Sequence, residues 1–370
     1  MCYYISVKKK KLIVSLIVVF LCIMMGVSLF FSETIEQNLK LKPDMSGVSD
    51  SAFEVHFIDV GQGDAIAIRF PNDQTMLVDS GPTKGKDNLE EYLNKVFFED
   101  SDRVFDYVFL THSDVDHSGN MNFIVENYEV KNFYRPKIYS ENLEDDKTGF
   151  KIKHKTYDTI LTTLDRLDID TYYPTNDTVI NCGESQIKII TSLQELDNTN
   201  DFSPILIVSS LGNKVCLSGD TSDKIEEELV ARDCLEDVDL FKLAHHGSKY
   251  GNTEGFLAEI QPEYVVCCVG ENSYGHPSSE ALLNLTNYDD AYNKTTFDTF
   301  KTTLKNGNII YYVNTNEFEC TTIENLGDYL FVDWYIIVIA VDASLVLYIL
   351  LYIIPKKPIK LNKHLKNMKK

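Results

Sequence analysis

The order of apolar segments predicts a layered α/β sandwich flanked by two single membrane-spanning helices. Three observations carry this expectation. Strand-like runs come first and then alternate with helical ones. Three of the strand-like runs stop abruptly at His or Asp. Finally, an apolar run of 20 residues stands near each end of the chain.

The first of these runs is Leu12 to Phe31, directly after Lys8–Lys11, and 20 apolar residues suffice to cross a bilayer core of about 30 Å. An uncleaved anchor is expected over residues 1–31. The apolar part of a cleaved signal is shorter, and no small-x-small site stands out between Ser28 and Glu33. Residues 32–51 are polar and read as a stalk.

One large domain over 52–326 follows. Phe53–Val60, Ala65–Phe70 and Met76–Val78 read as strands, with a turn at Pro71-Asn72-Asp73. Leu89–Phe98 has helical spacing, Tyr107–Leu110 is a short buried strand, and Tyr157–Leu167 is an amphipathic helix. Ile205–Ser209 and Lys214–Leu217 flank a Leu211-Gly212-Asn213 turn as a hairpin does. Lys224–Arg232 is helical, Leu240–Leu243 a strand, Phe256–Ile260 a helix and Tyr264–Val269 a strand.

The second apolar run, Tyr335–Ile354, closes the pattern within a span of 334–354. Trp334 and Tyr335 mark one interface, and Lys356-Lys357 after Pro355 the other. Asp342 near its middle costs about 2.5–3.5 kcal/mol on insertion scales, which the surrounding Ile, Leu and Val outweigh. A basic tail fills 355–370. Positive residues favour the cytoplasmic side, so both termini are expected in the cytoplasm and the domain outside a cell membrane crossed twice.

Charge distribution separates the parts further. The formal net charge is −21. With 11 lysines of the two basic flanks set aside, 24 basic residues face 56 acidic ones. So acidic a surface repels polyanions and argues against tight non-specific nucleic-acid binding, although a local basic groove remains compatible with it. Eight cysteines occur without any CxxC pair, and Cys216, Cys267 and Cys268 sit in apolar strand-like runs. Free buried thiols are expected, not a disulfide framework or a zinc ribbon.

Chemistry concentrates where strands end. Thr111-His112-Ser113-Asp114-Val115-Asp116-His117 places four potential ligands within six residues, right after an apolar strand. Burying that many ionisable groups there without a metal is costly. Mixed His and carboxylate ligands suit Zn²⁺, Mn²⁺ or Fe²⁺. Val215-Cys216-Leu217-Ser218-Gly219-Asp220 ends a second strand in Gly-Asp, and Leu240 to Ser248 ends a third in the pair His245-His246.

Together these motifs resemble the metallo-β-lactamase superfamily, and more narrowly the C-terminal hydrolase domain of the competence protein ComEC. The narrower resemblance rests on Phe57-Ile58-Asp59-Val60-Gly61-Gln62-Gly63-Asp64, Val78-Asp79-Ser80-Gly81, Asn200 with Ser203, and Ser273-Tyr274-Gly275-His276-Pro277-Ser278. It implies an αβ/βα four-layer sandwich with metal at the edge between two sheets. Asp114 replaces the second histidine of the usual HxHxDH signature, which tilts the site towards harder metals such as Mn²⁺. By the same resemblance, His112 and Asp114 hold one metal, Asp116 and His117 a second, and Asp220 bridges them. One of His245 and His246 completes the second site, leaving the other for substrate.

The family's further histidine ahead of Gly-Asp has only His154 to match it, in the basic stretch Lys153-His154-Lys155, which reads as exposed. One or two divalent ions (Zn or Mn) are therefore expected. Asp116 is also counted as catalytic. His276 is a second catalytic candidate, binding a phosphate oxygen or protonating the leaving group, or else a turn histidine. Asp59, Asp64 and Asp79 either orient ligand histidines and brace loops or cap the turn between strands.

The resemblance implies a metal-dependent hydrolase acting on a phosphodiester, with single-stranded DNA as one candidate partner. Two apolar spans are too few for a DNA uptake channel. Hydrolysis of a small phosphoester or cell-envelope ester is the enzymatic alternative, and an inactive membrane-tethered scaffold is the non-enzymatic one.

Overall fold

The computed structural model describes residues 45–323, apart from 46, 100, 144–148 and 316. Both apolar runs, Leu12–Phe31 and Tyr335–Ile354, lie outside the described residues, as do most of the stalk and the basic tail. Among the described residues, no helix is long and apolar enough to cross a membrane.

Two large sheets divide the chain. The first is opened by β1 (Phe53–Phe57), β2 (Ile66–Arg69) and β3 (Thr75–Val78), which pair antiparallel in sequence. Later in the chain, β4 (Val104–Phe105) and β6 (Glu129–Val130) form a small separate pair. β5 (Tyr107–Phe109), β7 (Phe133–Tyr134) and β10 (Thr171–Tyr172) extend the sheet in parallel. β8 (Ile138–Ser140) and β9 (Phe150–Ile152) form a second small pair.

The second sheet runs in chain order through β11 (Thr178–Cys182), β12 (Ser185–Ile190), β13 (Ile205–Ser210), β14 (Asn213–Leu217), β15 (Leu240–Lys242), β16 (Tyr264–Cys267) and β17 (Lys301–Thr302). β18 (Asn308–Val313) then returns to the first sheet beside β1, and β19 (Glu319–Ile323) closes its edge.

Side-chain alternation turns these sheets into layers. Phe53, Val55 and Phe57 of β1 meet Leu206 and Val208 of β13 and Val215 and Leu217 of β14 in a core between the sheets. The intervening residues Ala67, Leu77 and Val108 face outward instead, against helices Lys86–Tyr92, Met121–Asn127 and Lys155–Arg166. Ile207, Cys216 and Phe241 do the same on the second sheet, against helices Asp223–Ala231, Glu254–Ile260 and Ser279–Tyr292. The result is the expected αβ/βα sandwich. Adjacent Cys267 and Cys268 display the alternation in miniature: one faces the helices, the other the central core. Both are free thiols, like the other described cysteines.

Elements with strong periodicity match expectation to within a few residues. The helix expected at Leu89–Phe98 starts at Lys86 and widens into a π turn over Leu93–Phe97. Weakly patterned elements escaped the sequence reading. In β11 the apolar Val179 is 48% exposed while Thr178 is half-buried, so apolar alternation does not mark the inner face. Helix Ser279–Tyr292 buries only Ala281, Leu285 and Tyr288, too sparse a stripe to read as amphipathic.

Candidate metal centre

Three strand ends meet at one edge of the sandwich. β14 and β15 are parallel neighbours in register, Leu217 beside Lys242, so the loops that follow them emerge side by side. The His245 amide donates to the Gly219 carbonyl at 3.0 Å and ties these loops together. The loop after β5 arrives from the other sheet. Its Asp114 precedes a single helical turn, Val115–Ser118, that presents Asp116 and His117.

Asp220 sits at the centre of the convergence and is buried. Its Oδ1 lies 3.0 Å from His117 Nε2. Its Oδ2 lies 3.6 Å from both His245 Nε2 and His246 Nε2, and 3.9 Å from His112 Nε2. Asp114 Oδ2 is 4.0 Å from His112 Nε2, and Asp116 Oδ2 is 3.4 Å from His246 Nε2. Every metal ligand expected from the sequence is thus brought to one place. His246 lies deep in it, whereas the side chain of His245 is 25% exposed.

Hydrogen bonds fix which nitrogen each histidine offers. Thr111 donates its hydroxyl to Asp79 at 2.7 Å, so toward His112 Nδ1, 3.1 Å away, that oxygen can only accept. His117 Nδ1 donates to Asp79 Oδ2 at 2.7 Å, and His246 Nδ1 to the Cys268 carbonyl at 2.8 Å. All three rings therefore carry their proton on Nδ1 and aim Nε2 at Asp220. Such outer hydrogen bonds are how metal-ligating histidines are oriented. His112 Nε2 is buried and has no hydrogen-bond partner, which costs free energy unless something binds it.

The local electrostatics favour a cation. Burial holds the His112 imidazole down, at about 4, so it is neutral. Burial alone would depress His117 and His246 too. Asp220, Asp79 and Asp64 instead hold His117 well above its ordinary value, and Asp220 with Asp116 and Asp64 raises His246 to about 10. A divalent ion can satisfy this demand for positive charge without disturbing the Nδ1 hydrogen bonds. Two groups of described residues are spaced to hold one: His112, His117 and Asp220, and Asp64, His117 and His246. The donor set of imidazole nitrogens and carboxylates fits Zn²⁺, Mn²⁺ or Fe²⁺.

The metallo-β-lactamase superfamily model matches residues 58–271. This chain belongs to the metallo-β-lactamase superfamily. Within it, the chain is similar to ComE operon protein 3 of Bacillus subtilis, at 25% identity over 244 residues, covering 62% of this chain and 30% of that protein. It is also similar to Recombination protein 2 of Haemophilus influenzae, at 25% identity over 251 residues, covering 67% of this chain and 28% of the relative. The matched region thus spans under a third of either relative. Among solved structures, the metallo-β-lactamase fold protein YhfI of Bacillus subtilis aligns with a TM-score of 0.43 and 13% identity, over 70% of this chain and 100% of that one. The diiron β-hydroxylase CmlA of Streptomyces venezuelae aligns with a TM-score of 0.44 and 14% identity, over 71% and 54%.

On this metallo-β-lactamase scaffold the three flanking carboxylates take different tasks. Asp79, at φ 58°, holds Thr111 and His117. Asp59 accepts from the Gly61 amide and braces that turn. Asp64 is buried in an ion pair with Lys242, whose ammonium also donates to the Gly219 carbonyl at 3.0 Å. Burial alone would discharge Lys242; Asp64 and then Asp220 keep it protonated. Lys242 was missed in the sequence, although a lone lysine inside the apolar run Leu240–Ala244 signals a buried partner. Two glycines permit these approaches. A Cβ on Gly63 would fall 2.2 Å from the Asp116 carbonyl oxygen, and one on Gly247 2.6 Å from Pro277.

A cleft of about 340 Å³ opens over the centre, lined by Gln62, Asp114, Val115, Asp116, His154, Asp220, His245, His246, Tyr274 and His276. The expectation that His154 is an exposed bystander is corrected. It lies at the N-terminus of helix Lys155–Arg166, half-buried in the cleft wall, with Nδ1 unpartnered. His276 is also in the wall, its Nδ1 buried without a partner. Burial, then His245 and His246, push its imidazole down towards the neutral form.

Proposed function

We propose that this chain is a membrane-anchored, metal-dependent phosphodiester hydrolase. The observation that carries this reading is the aim of three histidine Nε2 atoms at one buried carboxylate, Asp220, beneath an open cleft. One metal is assigned to His112, Asp114 and Asp220, and a second to Asp116, His117, His246 and Asp220. When bound, a divalent ion neutralises charge on a phosphodiester and makes water a stronger acid.

The protein's own groups supply the rest. Thr111, Asp79 and the Cys268 carbonyl hold the ligand rings in register. His276, neutral at physiological pH, offers an N–H to a phosphate oxygen in the cleft. His245, whose Nε2 approaches Asp220 from a more exposed position, borders the same space and is assigned to substrate. His154 stands where a further ligand or phosphate contact is wanted. The anchor segments Leu12–Phe31 and Tyr335–Ile354 place the catalytic domain outside the membrane, with residues 32–51 as a stalk.

The test uses the full chain in detergent. Metal content is measured, and then turnover with Mn²⁺ or Zn²⁺ on single-stranded DNA, on a small phosphodiester and on a carboxylic ester. Turnover of a diester that Asp116→Ala abolishes supports the reading. Activity confined to the carboxylic ester, or neither metal nor turnover, overturns it in favour of an esterase or a scaffold. Protease added to intact cells should remove the domain; full protection contradicts the orientation.

A further inference from the structure

Gln62 belongs to the turn after β1 and stands in the wall of the cleft, yet it is only 8% exposed. Its carboxamide is pinned at one end. The Gly270 amide donates to Gln62 Oε1 at 3.2 Å. That bond settles which end of the carboxamide is which, because only the oxygen can meet an N–H. Nε2 therefore occupies the other end, where it meets no acceptor among the described residues. Nor is it sealed from solvent in the way of the orphaned Nδ1 atoms of His154 and His276. A side chain more than nine-tenths buried thus opens to the cleft with a pair of N–H donors.

The surrounding backbone sets this donor beside the metal ligands. Two residues on, the Asp64 amide donates to the Asp116 carbonyl at 3.1 Å, which ties the turn to the loop of Asp116 and His117. Gly270 lies two residues beyond Cys268, whose carbonyl accepts from His246 Nδ1 at 2.8 Å. A Cβ on Gly270 would fall 2.4 Å from the Gln62 backbone nitrogen, so the two loops are in direct contact. Gln62 is held from both sheets at once, and its free N–H groups are fixed before any ligand arrives. Fixed donors of this kind are worth far more than mobile ones. Asp114, Asp116 and Asp220 in the same wall only accept when ionised. An anionic oxygen entering the cleft needs donors that they cannot supply.

We infer that Gln62 is a substrate-binding residue, its Nε2 donating to a phosphoryl oxygen of the diester in the cleft. This rests on the phosphodiesterase reading and adds to it a donor that is not a metal ligand. A purely structural Gln62 would need only Oε1, to hold Gly270. The two roles use opposite ends of one carboxamide, so substitution can separate them.

Gln62→Glu keeps an oxygen for Gly270 and replaces the donor with an acceptor. Gln62→Met keeps the length but offers neither charge nor hydrogen bond. The full chain loaded with Mn²⁺ is measured for metal content, for kcat and KM on bis(p-nitrophenyl) phosphate, and for binding of inorganic phosphate by calorimetry. Both variants should retain their metal and lose about 10²–10³ in kcat/KM, the range for removal of one preorganised donor. Both should bind phosphate about tenfold more weakly or worse, as loss of a hydrogen bond to a charged group produces. Wild-type behaviour of Gln62→Glu overturns the proposal and leaves Gln62 a brace for Gly270. Phosphate binding retained by Gln62→Met overturns it too, since the loss in Gln62→Glu is then charge repulsion alone. Metal lost together with turnover in both variants overturns it by routing the effect through the centre. If the wild type cleaves no diester, the phosphodiesterase reading fails. Phosphate binding then decides the donor by itself, with equal affinities in wild type and Gln62→Met overturning it.

Discussion

The Nε2 atoms of His117 and His246 face each other across 3.3 Å, although the residues are 129 apart in the chain. His245 points its own Nε2 at Asp220 from a more exposed position. The proposed assignment separates the paired histidines by role. His246→Ala should remove about one equivalent of metal per chain and abolish turnover. His245→Ala should retain most of the metal and mainly impair substrate handling. Metal stoichiometry by mass spectrometry checks both; equal losses would remove the distinction.

Asp79 acts on the centre through His117 and Thr111. Asparagine tolerates its positive φ, but an amide NH₂ meets donors where a carboxylate accepts from them. Asp79→Asn should weaken metal affinity about 10–100-fold with the fold retained. Metal titration alongside circular dichroism measures this.

Lys242 and Asp64 form a buried pair between the two halves of the sandwich. Lys242→Met leaves the Asp64 carboxylate buried without its ammonium partner and should cost about 3–5 kcal/mol. Adding Asp64→Asn to it should recover much of that loss. Denaturant unfolding of the single and double variants provides the comparison.

Glu226 offers a pH signature remote from the metal. It is buried and accepts from the Asn252 and Thr253 amides, both at 2.7 Å. Burial dominates and raises its carboxyl to about 7, above the model-peptide value of 4.5. The folded state thus holds this proton more tightly than the unfolded state. Its contribution to stability is complete below about pH 4.5 and is lost as pH rises through about 7, by on the order of 3 kcal/mol. Glu226→Gln should flatten that part of the stability profile measured from pH 4.5 to 7.5.

Much of the candidate ligand set was legible because each of these residues sits where an apolar strand stops, a pattern visible without any contact information. His112, Asp114, Asp116 and His117 follow β5, Asp220 follows β14, and His245-His246 follow β15. The choice between the paired histidines was not legible, because it depends on two successive left-handed residues, at φ 50° and 54°. Nor was His154, whose local context is basic and whose position depends on how helix Lys155–Arg166 packs. Lys242 and Asp64 lie 178 residues apart, and only the packed sandwich makes them partners. β11 and helix Ser279–Tyr292 share a simpler cause: their buried faces carry too few apolar residues to stand out; β18, buried throughout and apolar after Asn308, has no such reason.

The return of β18 to pair with β1 has a consequence for biosynthesis. The sheet that carries His112 and His117 gains its strand beside β1 only when almost the whole described chain has been made. His246 and the cleft loop of Tyr274 are likewise translated long after the Thr111–Gly119 loop. A nascent chain therefore has no assembled centre until His246 and the loop of Tyr274 have emerged from the ribosome.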